Sequence, residues 1–380
     1  MIEPDIYVGA PPVGDLTLPS AEPTDRFLYA PRGVYFDDDV LVVTDSGNHR
    51  VLIWHGVPEA DGRPADVVLG QPDFFSEGPR AGGDDVVRGM HLPTGVAVIA
   101  GRLIVADAWH HRLLVWDAVP QTSFAPPDHV LGQPSPEAVT PNRGGEITAR
   151  GMYWPYGFGL VGGIFYVTDT GNRRILGWRG LPEPEQPADF VMGQDAPSDG
   201  YENRGRAVGP DTYRWPHDVA GDDDVLFIAD AGNHRVLGWA PPPERDAPAR
   251  LVLGQEDFAT AFEMPHTPPG PSRMRFPYAV SLCGNRLAVA DTANNRVLVW
   301  HEAPREGAFH PADEVLGQAD FSTAGENRWT AVTKETLCWP YGLHQHGNRI
   351  AVADSGNNRV VIWKVEEPAK AQAGRAALTP

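Results

Sequence analysis

Only three of the 31 basic residues in this 380-residue chain are lysines, Lys334, Lys364 and Lys370, and 50 acidic residues bring the formal charge to −19. Such a chain lacks the surplus of Lys and Arg that grips a phosphate backbone, which argues against nucleic acid as the main partner. Cysteine is scarcer still: Cys283 and Cys338 are too few for a disulfide framework and suit a reducing compartment. No stretch approaches the ~20 apolar residues of a membrane helix. The opening MIEPDIYVGAPP lacks the basic leader and apolar run of a secretory signal. The expectation is a cytoplasmic protein without membrane insertion. Length alone would suggest two or three domains.

What the chain does have is repetition. Residues 43–54 read VTDSGNHRVLIW, and close copies return five more times. Asp45, Asp107, Asp169, Asp230, Asp291 and Asp354 open the motif; Arg50, Arg112, Arg174, Arg235, Arg296 and Arg359 follow five positions on; Trp54, Trp116, Trp178, Trp239, Trp300 and Trp363 close it. Successive Asp residues are 62, 62, 61, 61 and 63 positions apart, and so fixed a period dictates a repeat architecture. In each period four short strands are legible. A Pro followed by a small-residue apolar run (PRGVYF, PTGVAVI, PYGFGL and relatives) is strand a. LVVTD and its copies are strand b, RVLIW and its copies strand c, and DVVLGQ and its copies strand d.

Only five copies of strand d follow a motif. The sixth lies at the other end of the chain, where residues 5–10, DIYVGA, match the pattern and Gly9 precedes Gly70 by one period, 61 positions. A first strand that completes the last repeat closes a ring and removes the exposed sheet edge. The expected fold is all-β: a six-bladed β-propeller of four-stranded antiparallel blades, one domain over residues 1–365 with strand 5–10 in the last blade, and a flexible tail at 366–380. The motif resembles the NHL repeat, named for Asn-His-Leu and visible at Asn48-His49-Arg50-Val51-Leu52 and Asn233-His234-Arg235-Val236-Leu237. The resemblance covers residues 5–365. It implies a propeller, in a family that spans protein-binding and RNA-binding modules, kinase sensor domains and a peptide-amidating lyase.

An element used once per blade reads as a staple: the Asp carboxylate can take turn amides, and the Arg can reach that Asp or a neighbouring carbonyl. Function is sought where the copies differ. The b–c turns and the long d–a connections share one face, the top, and loops on a rigid scaffold commonly carry binding. Two positions around the strand-a Pro are expected to ring the channel mouth. Two residues before it stand Tyr29, His91, Tyr153, Arg214, Arg275 and Cys338; one after it stand Arg32, Thr94, Tyr156, His217, Tyr278 and Tyr341. From these, Arg32, His91, Tyr153, Tyr156, Arg214, His217, Arg275, Tyr278 and Tyr341 are the candidate ligand-binding residues, a set suited to an anionic or aromatic group. The competing reading is that they plug and cross-link the blade ends.

Three constellations suggest chemistry. His217-Asp218 places a carboxylate where the other copies have Gly or Ala; it reads as an acid/base pair or as an interblade salt bridge to Arg275 or Arg214, and alternation along a strand would turn the two side chains to opposite faces. Trp109-His110-His111, with His91, could hold a transition metal, as could Cys283, His344 and His346 at the other end of the channel. The lyase resemblance implies a His-ligated channel zinc, but no three His share one ring level here. The sequence therefore points first to a non-enzymatic interaction module that binds a protein partner, as accessory protein of a larger redox or metal enzyme or otherwise, or a small anionic ligand. No cofactor is required. The alternative is a metal-dependent lyase or hydrolase with one metal ion in the central channel.

Overall fold

The computed structural model describes residues 2–17, 19–263 and 268–365; the tail expected at 366–380 lies outside the described residues. Six antiparallel sheets stand around one axis. Blade 1 shows the pattern, with strand a at Gly33–Phe36, b at Val40–Asp45, c at Arg50–His55 and d at Val67–Leu69. Blade 6 takes strands a, b and c from Pro340–His346, Arg349–Asp354 and Arg359–Val365, and its fourth strand is Ile2–Gly9. That first strand pairs antiparallel with Arg359–Val365. Gly9 sits at φ +95°, and a Cβ there would lie 2.6 Å from the Asn358 carbonyl oxygen, so only glycine fits the close approach. Blade 4 gains a fifth, parallel strand, Gly307–Ala308, on the outer edge of Leu251–Leu253.

The core is divided into six layers, each between adjacent blades. The layer that closes the ring joins Val8, Val360 and Ile362 of blade 6 to Val34, Leu41 and Trp54 of blade 1. Burying side chains of this size contributes roughly 1.5–3 kcal/mol each. Two-sided burial explains why strands b and c read as continuous apolar runs. The innermost strands crowd the axis: a Cβ at Gly33 would come 2.0 Å from the Thr94 carbonyl oxygen, hence the Gly or Ala after the channel-mouth residue in five copies.

Each motif Asp is fully buried. One oxygen accepts the Arg Nε–H, as in Asp169–Arg174 at 2.7 Å, together with an Asn or His side chain three residues on. The other oxygen accepts the backbone N–H of the residue two before the strand-a Pro, from Tyr29 in blade 1 (2.6 Å) to Cys338 in blade 6 (2.7 Å). The expected bonds to the turn amides are thus replaced by one that ties strand b to the loop entering the blade. The Arg then spends its remaining N–H groups on loop carbonyls, Thr148, Gly151 and Pro197 for Arg174. A buried ion pair with its donors spread over loop carbonyls is a fastener, and the pair recurs in every blade.

Candidate functional site: an aromatic mouth with two unneutralised arginines

In blades 2 to 6 strand a begins with a bulge, as in blade 4, where the register shifts between Pro216 and Asp218, and Arg32 holds the equivalent position in blade 1. The bulged residue turns its side chain across the axis, and five such residues meet in a closed circuit. Arg32 Nη1 donates to Tyr156 Oη at 2.6 Å. Tyr156 packs on His217 with ring centres 4.4 Å apart, and His217 stacks on Tyr278 at 4.4 Å and 14°. Tyr278 leans on Tyr341 at 4.7 Å, and the Arg32 guanidinium lies over Tyr341 at 5.0 Å. Thr94, the small sixth member, donates its hydroxyl to the Tyr156 carbonyl. The circuit separates a channel cavity of about 250 Å³ below from a top-face cavity of about 380 Å³ above.

Burial presses the His217 imidazole down to about 4, so it is neutral near pH 7, with Nδ1–H donating to the Trp215 carbonyl. Asp218 lies below the circuit. The bulge breaks strict alternation, so His217 and Asp218 both border the channel but do not bond to one another among the described residues. Nor does Asp218 pair with Arg214 or Arg275: its two oxygens accept the N–H groups of Val219 (2.9 Å) and Val280 (3.0 Å), which ties blade 4 to blade 5. Burial pushes this carboxyl up to about 7 against the pull of those two donors.

The residues two before the Pro stand outside the circuit. Tyr153 reaches the upper cavity. His91 packs between His49 and Trp109. Arg214 is neutralised by Glu202 and Arg275 by Glu263.

The proposed metal ligands do not converge; among the described residues no group of three His, Cys, Asp or Glu is placed to hold a metal ion. His110 takes the place of the motif Asn and bonds Asp107 through Nδ1 at 2.9 Å. His111 Nδ1 accepts the Trp154 N–H. At the bottom, His344 Nδ1 accepts the Phe36 N–H, His346 faces Asp38, and the Cys283 thiol points to the Gly347 carbonyl. A channel zinc of the lyase kind has no donor set in these positions.

Two contributors were not singled out in the sequence. The residue just before the strand-a Pro is Trp154, Trp215, Phe276 or Trp339 in four copies and Ala30 or Leu92 in two. Trp154 and Trp215, with Trp109 from the blade 2 turn, wall the upper cavity. Arg173 is the other. Four residues after the motif Asp the remaining copies carry His49, His111, His234, Asn295 and Asn358, and each accepts the N–H of the residue before the Pro in the next blade. Arginine cannot accept. Arg173 instead bonds the Gly171 and Gly200 carbonyls, its Nε has no partner among the described residues, and it lines the upper cavity. Neither Arg173 nor Arg32 forms an ion pair with a carboxylate among the described residues, whereas Arg143 and Arg204 in the top loops are paired with Glu185 and Asp246. A single Arg among His and Asn is a legible signal; the tryptophans share their position with Ala30, Leu92 and Phe276 and so form no uniform pattern.

The NHL repeat family model matches residues 28–54 and 90–116, in blades 1 and 2. No curated protein matches the chain significantly. Among solved structures the chain is similar to the WD40 β-propeller domain of Doa1 (12% identity, 96% of this chain and 98% of that one, TM-score 0.47). It is also similar to a chain of the nidogen/laminin complex (17%, 90% and 98%, TM-score 0.46) and to a structural genomics protein from Bacteroides thetaiotaomicron (10%, 96% and 76%, TM-score 0.49). Likeness at this level carries no functional argument. With the two matched repeats, the six sheets and the strand that seals them in place, the chain is a carrier of NHL repeats folded as a six-bladed β-propeller.

Proposed function

We propose that the protein is a non-catalytic interaction module that binds a protein partner or a small anionic ligand at the top-face mouth, in the cytoplasm. One observation carries the reading: a cavity walled by Trp109, Trp154 and Trp215 holds two guanidinium groups without a carboxylate, in a protein of charge −19. Buried or half-buried arginines normally find a counter-charge, and Trp, Tyr and Arg are the residues that dominate binding hot spots. Pairing of Arg143, Arg204, Arg206, Arg273 and Arg328 with carboxylates disfavours a nucleic acid as partner.

The test is capture from the host with wild-type protein and with a Trp154→Ala, Trp215→Ala double variant. A component bound stoichiometrically by the first and lost by the folded second supports the reading. Equal capture by both would sink it.

A further inference from the structure

We infer that the mouth reads a planar aromatic group bearing a carboxylate, and that Arg173 is the residue that selects it; this rests on the interaction reading above. At five of the six blade boundaries the equivalent residue is a fastener that accepts an N–H from the next blade. Arg173 gives up that bond and also holds a left-handed backbone, φ 56°, which a long side chain adopts less readily than Asn or His. Two local rules broken at one position, offset in the fold only by the bonds to the Gly171 and Gly200 carbonyls, mark a site kept for its side chain.

What the side chain gains is the cavity. Arg173 stands at its rim and Arg32 in its floor, and Trp109, Trp154 and Trp215 form the walls. A planar guanidinium offers a carboxylate two parallel N–H donors, and indole faces favour a flat ring over an aliphatic chain. A volume of about 380 Å³ falls at the small end of ligand pockets, room for one or two fused rings with a carboxylate. Trp215 also departs from its counterparts: the residues before the Pro in the other five blades are held at φ between 47° and 52°, and Trp215 is not; its carbonyl instead accepts the Ala231 N–H and His217 Nδ1–H.

This chemistry has two sources, a free aromatic acid or the last residue of a protein chain ending in an aromatic side chain. Calorimetric titration of the full-length protein with 2-naphthoate, with its neutral amide, and with a short peptide ending in phenylalanine as free acid or as amide separates them. We expect at least one acid to bind, its neutral counterpart to bind about tenfold or more weakly, and Arg173→His to weaken the acid by a similar factor without lowering the unfolding temperature. Naphthoate binding alone assigns a small molecule; tighter binding of the peptide acid assigns a chain terminus. No binding of either acid up to about 10 mM, or equal binding by Arg173→His, overturns the inference. Equal binding by Arg173→His together with loss in the Trp154→Ala, Trp215→Ala variant would overturn it and leave the mouth as an interaction surface.

Discussion

Arg173 of blade 3 and Trp215 of blade 4 line one cavity at the boundary where, among the described residues, the His or Asn side-chain bond of the other five is missing. At the boundary before it His111 Nδ1 accepts the Trp154 N–H at 3.3 Å, and at the one after it His234 Nδ1 accepts the Phe276 N–H at 3.2 Å. The ring has six blades and makes this bond at five of their boundaries. That single exception lines the aromatic mouth, which is why fold and site are inseparable here.

Restoring the bond should stabilise the propeller. Arg173→Asn supplies an acceptor and a side chain that tolerates the left-handed backbone, and each effect is worth about 1 kcal/mol. Urea unfolding is expected to show a higher midpoint with an unchanged slope. A lower midpoint would mean that Arg173 stabilises the fold through its bonds to Gly171 and Gly200.

Cutting a staple should cost far more. Arg174→Met leaves Asp169 buried with no cation, and it strips the Thr148, Gly151 and Pro197 carbonyls of their donor. Removing one partner of a buried pair typically costs about 3–5 kcal/mol. A loss below about 1 kcal/mol in thermal or urea unfolding would show that the six pairs are ornaments of the turn.

Acid should weaken the protein. Burial, the largest cause, presses His49, His111 and His234 down to about 4 from their ordinary 6.5. A depressed imidazole contributes stability that is present above the unfolded value and lost as pH falls from about 6.5 towards about 4. Asn does the same fastening at Asn295 and Asn358, so a His49→Asn, His111→Asn, His234→Asn variant keeps the bonds and loses the titration. Its unfolding temperature should fall less than that of wild type between about pH 7 and about pH 4.5. Asp218 acts with the opposite sign: its folded value of about 7 stands above the ordinary 3.8, so its contribution is full below about pH 4 and is lost as pH rises towards about 7. Parallel acid profiles for the variant and wild type would refute the assignment.

Deleting residues 2–9 should open the ring. The deletion removes Ile6 and Val8 from the core and every ladder bond to Arg359–Val365, exposing an edge of blade 6. Burial of the two side chains alone amounts to about 3–6 kcal/mol. Loss of amide-exchange protection in Arg359–Val365, followed by self-association, is the expected result; a monomer with full protection there would contradict closure by the first strand.

The motif Asp and Arg stand five residues apart and bond directly, and strand d of blade 6 matches its five relatives in pattern; such features are local, repeated and therefore readable. The period, the blade number, the sealing strand and the structural role of the Asp–Arg pair were all legible this way. The mouth was legible only in part. Arg32 and Tyr156 lie 124 positions apart, and whether they touch depends on the radius at which six sheets close. The bulge that turns His217 inward beside Asp218 cancels the alternation that a strand pattern assumes. The sequence by itself determined which residues repeat and hence which elements form, because hydrogen-bond register and two-sided burial act over a few residues. Which of the exceptions share a cavity, and which arginines go without a counter-charge, was decided only by tertiary closure, since distance across the axis is not written in any one blade.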